Sequence, residues 1–434
     1  MPAYPKYKPS GGEWLGDVPQ DWEVKRLKYS ASINDEALPE TTPPNFEFNY
    51  VDISSVDSSE GITATEEMIF ETAPSRARRI VKDGDTIVST VRTYLRAIAP
   101  IRNPSEDLIV STGFAVIRPR NVRSDFLSYA LRESSFVETV VARSVGVSYP
   151  AVNSSEVATI PIPLPPSDEQ RAIADFLDRE TARLDTLVRK KRELIEKLRE
   201  KRTALISRTV TRGLNPNVKL KPSGIEWLGD IPQHWDIMRL KWRARCRSGD
   251  GISPDEVTPE ETADQSVPVI GGNGVMGYCE RSNCDDPVIV IGRVGALCGN
   301  VHCIKPPAWV TDNALLMPID NRVFRLEYLA AVLQSRDLNE LADKTAQPLI
   351  TGTRVRGETV PIPTVHEQHA IADYLDRETA KLDQMSEKVE AAIEKLREYR
   401  TALITAAVTG KIDVRGAGHS SGSTAPAAAS TVAT

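Results

Sequence analysis

The sequence is written twice, and that limits what the chain can fold into more than any other feature. KPSGGEWLGDVPQDWEVKRLK at 8–28 returns as KPSGIEWLGDIPQHWDIMRLK at 221–241, without a gap and with 15 of 21 positions identical. EQRAIADFLDRETARLD at 169–185 returns as EQHAIADYLDRETAKLD at 367–383, and IEKLREKRTALI at 195–206 as IEKLREYRTALI at 393–404. Each half therefore runs as opener, variable stretch and long helix. The two variable middles, 29–160 and 242–359, have diverged.

A fainter skeleton survives in the middles. DTIVSTVRTYLRAIA at 85–99 parallels PVIVIGRVGALCGNV at 287–301, and STGFAVIRP at 111–119 parallels VTDNALLMP at 311–319. Apolar β-branched runs bounded by Gly, Pro and Asp predict strands. IPIPLPP at 160–166 and VPIPTVHE at 360–367 read as proline-framed strands, and FLSYALRES at 126–134 and EYLAAVLQS at 327–335 as short helices. The expected fold class is α+β, with two globular mixed α/β domains in tandem, each large enough for its own core.

Each half closes on a helix. Both helices start after a Pro-rich stop with a predicted capping box, Ser167 with Gln170 and Thr364 with Glu367. A 3-4 spacing follows through Leu177, Leu184, Leu187, Leu194, Leu198 and Leu205. The second copy runs through Leu375, Leu382, Met385, Val389, Leu396 and Leu403. A period near 3.5 residues predicts a coiled-coil seam. Two like units from a duplication can pair with approximate two-fold symmetry, which makes the helices antiparallel. The expected organisation is a first domain at 1–165, a central helix at 166–213, a second domain at 214–362, a pairing helix at 363–411, and a disordered Ala/Ser/Thr/Gly-rich tail at 412–434.

Charge is unevenly placed. The whole chain carries a formal net charge of −6, which by itself does not suggest a polyanion partner. Residues 29–73 hold no Lys or Arg, and from 74 the balance reverses. Arg76, Arg78 and Arg79 lie in APSRARRI, Arg92, Tyr94 and Arg96 in STVRTYLR, and Arg143, Ser148 and Tyr149 in RSVGVSYP. If 89–96 is a strand, Thr90, Arg92, Tyr94 and Arg96 share one face. Guanidinium on such a face bonds phosphate or guanine in bidentate fashion. The competing reading is a polar sheet face paired with nearby carboxylates. Thr112 belongs to the same candidate surface, and the parallel places in the second half hold Arg293, Thr311, Asn313, Gln347, Thr351 and Arg354.

Signatures of catalysis are missing from the sequence. It contains no G-x-x-x-x-G-K-[ST] phosphate loop. Glu23 and Lys25 form the single Glu-x-Lys pair of a nuclease kind, and the second copy puts Met238 in place of the lysine. Cys279, Cys284, Cys298 and Cys303 form two equal pairs, but their spacing is wider than a tight zinc turn needs. No metal site and no catalytic residue is expected. Five cysteines, no apolar run of eighteen residues and an N-terminus without an apolar core predict a reduced, cytoplasmic, membrane-free chain.

The duplicated EWLGD-P--W opener, the IPIP-then-EQ-AIA helix entry, and the LDRETA--D and EKLRE-RTALI segments resemble the specificity subunit of type I restriction–modification systems over about residues 8–411. The resemblance implies two target-recognition domains, each reading one half of a split sequence in double-stranded DNA. It implies helices that act as spacer and as docking surface for two methyltransferase subunits, with restriction and translocase subunits beyond them. The resemblance also implies S-adenosylmethionine, ATP and Mg on those partners, and no cofactor is expected in this chain. A coiled-coil scaffold that spaces two protein-binding modules is the other reading of the same layout.

Overall fold

The computed structural model describes residues 2–12, 15–58, 60–295, 297–343 and 348–416. Two compact units divide the chain as 1–191 with 391–434, and 192–390. Each unit therefore takes the first part of its own repeat's helix and the last part of the other repeat's helix. This differs from the linear division that gave each helix a segment of its own.

The duplicated opener folds the same way in both units. Tyr7–Pro9 pairs with Asp17–Pro19, and Leu220–Pro222 with Asp230–Pro232. The next strand, Glu23–Arg26, pairs with the proline-framed Pro161–Leu164, and Asp236–Arg239 with Thr359–Ile362. Proline suits these two-stranded edges because an edge position does not need its N–H.

The divergent middles share a sheet. In the first unit the antiparallel order is Ile98–Pro100, Thr86–Ser89, Phe114–Pro119, Ala31–Ile33. In the second it is Val301–Ile304, Val288–Gly292, Ala314–Met317, Arg247–Ser248. A second, mixed sheet lies beside each. Glu47–Val51 runs parallel to Leu108–Ser111 in the first unit, and Val267–Gly271 parallel to Trp309–Val310 in the second. The inner strands, such as Thr86–Ser89 and Val288–Gly292, are buried along their whole length. Their unbroken β-branched runs are what a strand covered on both faces requires.

The long helices span Ser167–Arg212 and Val365–Val408. In the first unit Phe176, Leu177 and Leu184 cluster with Leu403, Ile404, Ala407 and Val408. In the second, Ile206 and Val210 cluster with Ile371, Ala372 and Leu375. The buried stripe follows the heptad expectation in part: Leu177, Leu184, Leu375, Leu382 and Leu403 are buried and Leu198, Leu205, Val389 and Leu396 half-buried. Leu187, Leu194 and Met385 are exposed, and the buried isoleucines outside the seam join Leu184 and Leu382 in two series, Ile173, Leu184, Ile195 and Ile206, and Ile371, Leu382, Ile393 and Ile404. Both series step by eleven. A straight α-helix drifts about 20° per heptad from a 3.5-residue repeat, whereas eleven residues over three turns stay close to 3.6.

The EQ pair at the start of each helix ties helix to unit. Trp22 Nε1 donates to Glu169 at 2.9 Å, and Trp235 Nε1 to Glu367 at 3.3 Å. Gln170 Oε1 accepts from Arg123 N at 3.0 Å, and Gln368 Oε1 from Arg325 N at 2.8 Å. Arg123 and Arg325 stand at the N-terminal boundary of the helices Ser124–Ala130 and Leu326–Ser335, which cover the sheets. Gln170 is thus an inter-element tether and not the second member of a capping box. Thr364 does cap, accepting from Glu367 N at 3.3 Å.

The opposite helix ends return to the same tryptophans. Gly213 sits at φ +70 against Trp235 and Gly410 at φ +72 against Pro19 and Trp22. A left-handed glycine after a helix is the common stop. Beyond Gly410 the chain stays packed as far as it is described, because Asp413 N donates to Pro2 O at 2.8 Å and Val414 is buried. The expected disorder therefore does not hold for 412–416, and 417–434 lie outside the described residues.

Candidate nucleic-acid interface

Residues 89–96 are not one strand. The strand ends at Ser89, and Thr93–Leu95 forms a single 3-10 turn bracketed by Arg92 at φ 53 and Arg96 at φ 52. Both arginines are left-handed, a conformation that costs an L-residue roughly 1–2 kcal/mol. The shared face expected for Thr90, Arg92, Tyr94 and Arg96 therefore does not exist in that form. Thr90 is buried with its hydroxyl on Gly113 O at 2.9 Å. Tyr94 and Arg96 are exposed, and Arg96 pairs with Glu138 at 2.6 Å.

A second loop meets this turn. Arg92 N donates to Pro150 O at 2.8 Å, Val152 N to Thr90 O at 2.9 Å, and the Arg92 guanidinium lies 4.9 Å from the centre of the Tyr149 ring. Ser148 and Tyr149 are exposed beside it. Arg143 is turned to the loop's own base, donating to Glu156 O at 3.1 Å and Thr159 Oγ1 at 2.8 Å. The turn and loop thus bring Arg92, Tyr94, Ser148 and Tyr149 to one edge.

SRARR is not one cluster, because strand alternation sends Arg78 and Arg79 to opposite faces. Arg76 donates to Asp52 at 2.7 Å and to Tyr50 Oη at 3.1 Å. Burial raises the Asp52 carboxyl, but the Arg76 hydrogen bond, the Ile53 N–H, the Arg76 charge and the Tyr50 hydroxyl together outweigh it, and the group titrates below its ordinary value. Arg78 lies 4.4 Å from the centre of the Phe70 ring. Burial pulls Arg79 below its ordinary value, and its Nε has no hydrogen-bond partner. Thr112 is exposed at the strand end, and its N donates to Arg76 O at 2.7 Å.

The second unit builds the same turn. Arg293 N donates to Asn313 O at 3.0 Å as Thr90 N does to Gly113 O at 2.8 Å. Gly295 N donates to Pro348 O at 3.0 Å as Arg92 N does to Pro150 O. Ile350 N reaches Arg293 O at 2.9 Å as Val152 N reaches Thr90 O. By this register Arg92 corresponds to Gly295, φ +85, and Arg96 to Gly299, φ +95. The backbone is common and the side chains differ. Arg293 donates to Ser248 Oγ at 3.0 Å and Asp312 O at 3.1 Å. Asn313 is exposed, and Thr311 is buried on Ile270 O at 3.2 Å. Thr351 caps the helix Gly352–Gly357, and Arg354 pairs with Asp343 at 2.6 Å. Gln347 lies outside the described residues.

Two exposed aromatics were missed. Tyr29 and Trp242 follow the repeated RLK, are 61% and 68% exposed, and carry Lys28 and Lys241 over their rings at 5.2 and 5.0 Å. Their signal was legible in RLKWRARCR at 239–247, a basic run around a tryptophan. They sit at the far end of the sheet from the paired loops, since Ser30 O accepts from Arg120 N just past Pro119, and Pro318 O accepts from Arg245 N. The thiols are dispersed, with Cys279, Cys284 and Cys298 in three different apolar clusters.

The model of the type I restriction modification DNA specificity domain matches residues 19–197 and 247–395, one copy in each half. This chain belongs to that family. A putative type I restriction enzyme MjaX specificity subunit from Methanocaldococcus jannaschii is 24% identical over 92% of this chain and 96% of its own length. The EcoprrI specificity subunit of Escherichia coli is 29% identical over 31% of this chain and 33% of its own. A chain solved in a study of complex assembly and conformational transition of the type I R-M system superposes with a TM-score of 0.71 at 23% identity, covering 91% of this chain and 99% of that one. The type I specificity subunit described here thus has two specificity domains, and its paired loops crown the sheet of each. Among the described residues, no helix is long and apolar enough to cross a membrane.

Proposed function

We propose that this chain is the non-catalytic DNA-reading subunit of a type I restriction–modification complex. Each unit reads one half of a split, asymmetric target, and partner subunits methylate adenine or cleave the DNA. The observation that carries this reading is the shared turn with unlike side chains: Arg92 against Gly295 and Arg96 against Gly299 on one backbone register. A common frame docks the same way twice, while different side chains specify different bases. Arg92, Tyr94, Ser148, Tyr149, Arg76 and Thr112 are the proposed contacts in the first unit, and Arg293, Asn313, Thr351 and Arg354 in the second.

The spacer is proposed to be the two long helices paired antiparallel. Asp185 with Arg400 at 3.2 Å and Arg202 with Asp383 at 3.2 Å support that register, one number rising by seventeen as the other falls by seventeen. Two methyltransferase subunits, one per half, fit the equivalent aromatics Tyr29 and Trp242, because an exposed aromatic is a common anchor of protein interfaces. S-adenosylmethionine, ATP and Mg are assigned to the methyltransferase and translocase partners in the cytoplasm, and extrusion of the adenine to the methyltransferase pocket.

Methylome sequencing tests the reading directly. A host carrying this chain and its neighbouring methyltransferase is compared with the same host lacking this chain. A split adenine-methylated motif that disappears with the deletion is expected, and an active methyltransferase whose motif persists unchanged overturns the reading.

A further inference from the structure

We propose that Val145 and Val147 are base-reading residues that pack against the C5-methyl group of thymine in one half of the target. The inference rests on the DNA-reading role proposed above.

Val147 is 102% exposed and Val145 81%. Leaving two large apolar side chains in water at one loop tip forfeits burial energy, and such an exposed apolar point marks a surface that something else covers. The tip is closed by construction. Val145 N donates to Ala151 O at 2.9 Å and Ala151 N to Val145 O at 3.0 Å, so residues 146–150 form a short bridged loop. Ala151 also bridges to Val91, at the start of the left-handed turn. Gly146, at φ +121, makes the reversal, where a Cβ would lie 3.2 Å from Tyr149 O. The ordering entropy of the tip is thereby spent on folding and not on binding.

The surroundings select the occupant. No Asp or Glu occurs in 139–155. Of the neighbouring arginines, Arg96 pairs with Glu138, Arg102 with Asp178, and Arg143 is turned to the loop's base. Arg92 lies over Tyr149 at the foot of the tip. An apolar point beside a guanidinium and a tyrosine ring complements duplex DNA, whose grooves present phosphates around base edges. Among those edges, the thymine methyl is the apolar group of the major groove, and small aliphatic side chains are its usual contact.

The test uses the complex of this chain with its methyltransferase and the duplex motif found by methylome sequencing. Each thymine is replaced in turn by deoxyuridine, which removes the methyl and keeps the pairing, and affinity is read by fluorescence anisotropy. We expect about fourfold weaker binding at one thymine or two neighbouring ones, confined to one half-site, the worth of one buried methyl group. The V145A/V147A chain should be indifferent to that replacement and melt at the same temperature as the parent; the single variant V147A serves if the double does not fold. Discrimination unchanged in the variants, or no effect of deoxyuridine in either half-site, overturns the inference. A complex that binds no motif at all fails the DNA-reading role itself, so the two failures are distinguishable.

Discussion

Arg92 and Gly295 hold one place in two copies of the same turn, and so do Arg96 and Gly299. Glycine enters the left-handed region freely, whereas arginine does so under strain, and such strain concentrates at functional positions. Gly295→Ala should cost about 1 kcal/mol, since its added Cβ meets nothing within 4 Å and only the backbone conformation resists. Gly299→Ala should cost more, because its Cβ would lie 2.5 Å from Asn339 N. Denaturant melts of the two variants rank them. Arg92→Gly should hold or raise the melting temperature while weakening DNA binding, and should flatten its salt slope by about 0.9 if Arg92 contacts one phosphate. Nothing in 89–96 alone signals the turn, since Thr-Val-Arg-Thr-Tyr-Leu-Arg alternates as a strand does. The signal lay in the other copy, in the glycines of GRVGALCGN.

At the scale of elements, the long helices were legible in extent and only in part in phase. Heptad counting placed Leu187, Leu194 and Met385 in the seam, and they are exposed, while Ile195 and Ile393 are buried. Ile195→Ala and Ile393→Ala should each cost about 2–4 kcal/mol, and Leu194→Ala less than about 1 kcal/mol, in denaturant unfolding. The helix starts respond to acid. Burial raises Glu367, but hydrogen bonds from His234 and Trp235, the His234 charge and the helix-start backbone together outweigh it, so its carboxyl is held below its ordinary value of 4.5. A depressed folded value contributes stability that is present above the unfolded value and is lost as pH falls through the folded one. The parent chain should therefore lose more stability than Glu367→Gln when acidified from about pH 5 to about pH 3, as thermal melts across that window would record.

At the scale of the whole molecule, each unit is finished by the other repeat's helix. Residues 391–416 belong with the first unit, where Leu403, Ile404, Ala407 and Val408 cover Ile173, Phe176, Leu177 and Leu184. Truncation after Glu390 should therefore raise amide exchange across 1–191 and leave 192–390 protected, the reverse of what a linear series of domains predicts. The duplication, the strands of both middles, the two helices and the family were all determined by the sequence, because each is set by local periodicity or by a repeat that can be read in one dimension. Which side chains share a surface was decided by tertiary structure alone. Arg78 and Arg79 part across a strand, Arg92 meets Tyr149 across 57 residues, and Gly410 meets Trp22 from the far end of the chain. Those meetings depend on chain reversals and long-range packing, and no local pattern encodes the place where two distant segments come to rest.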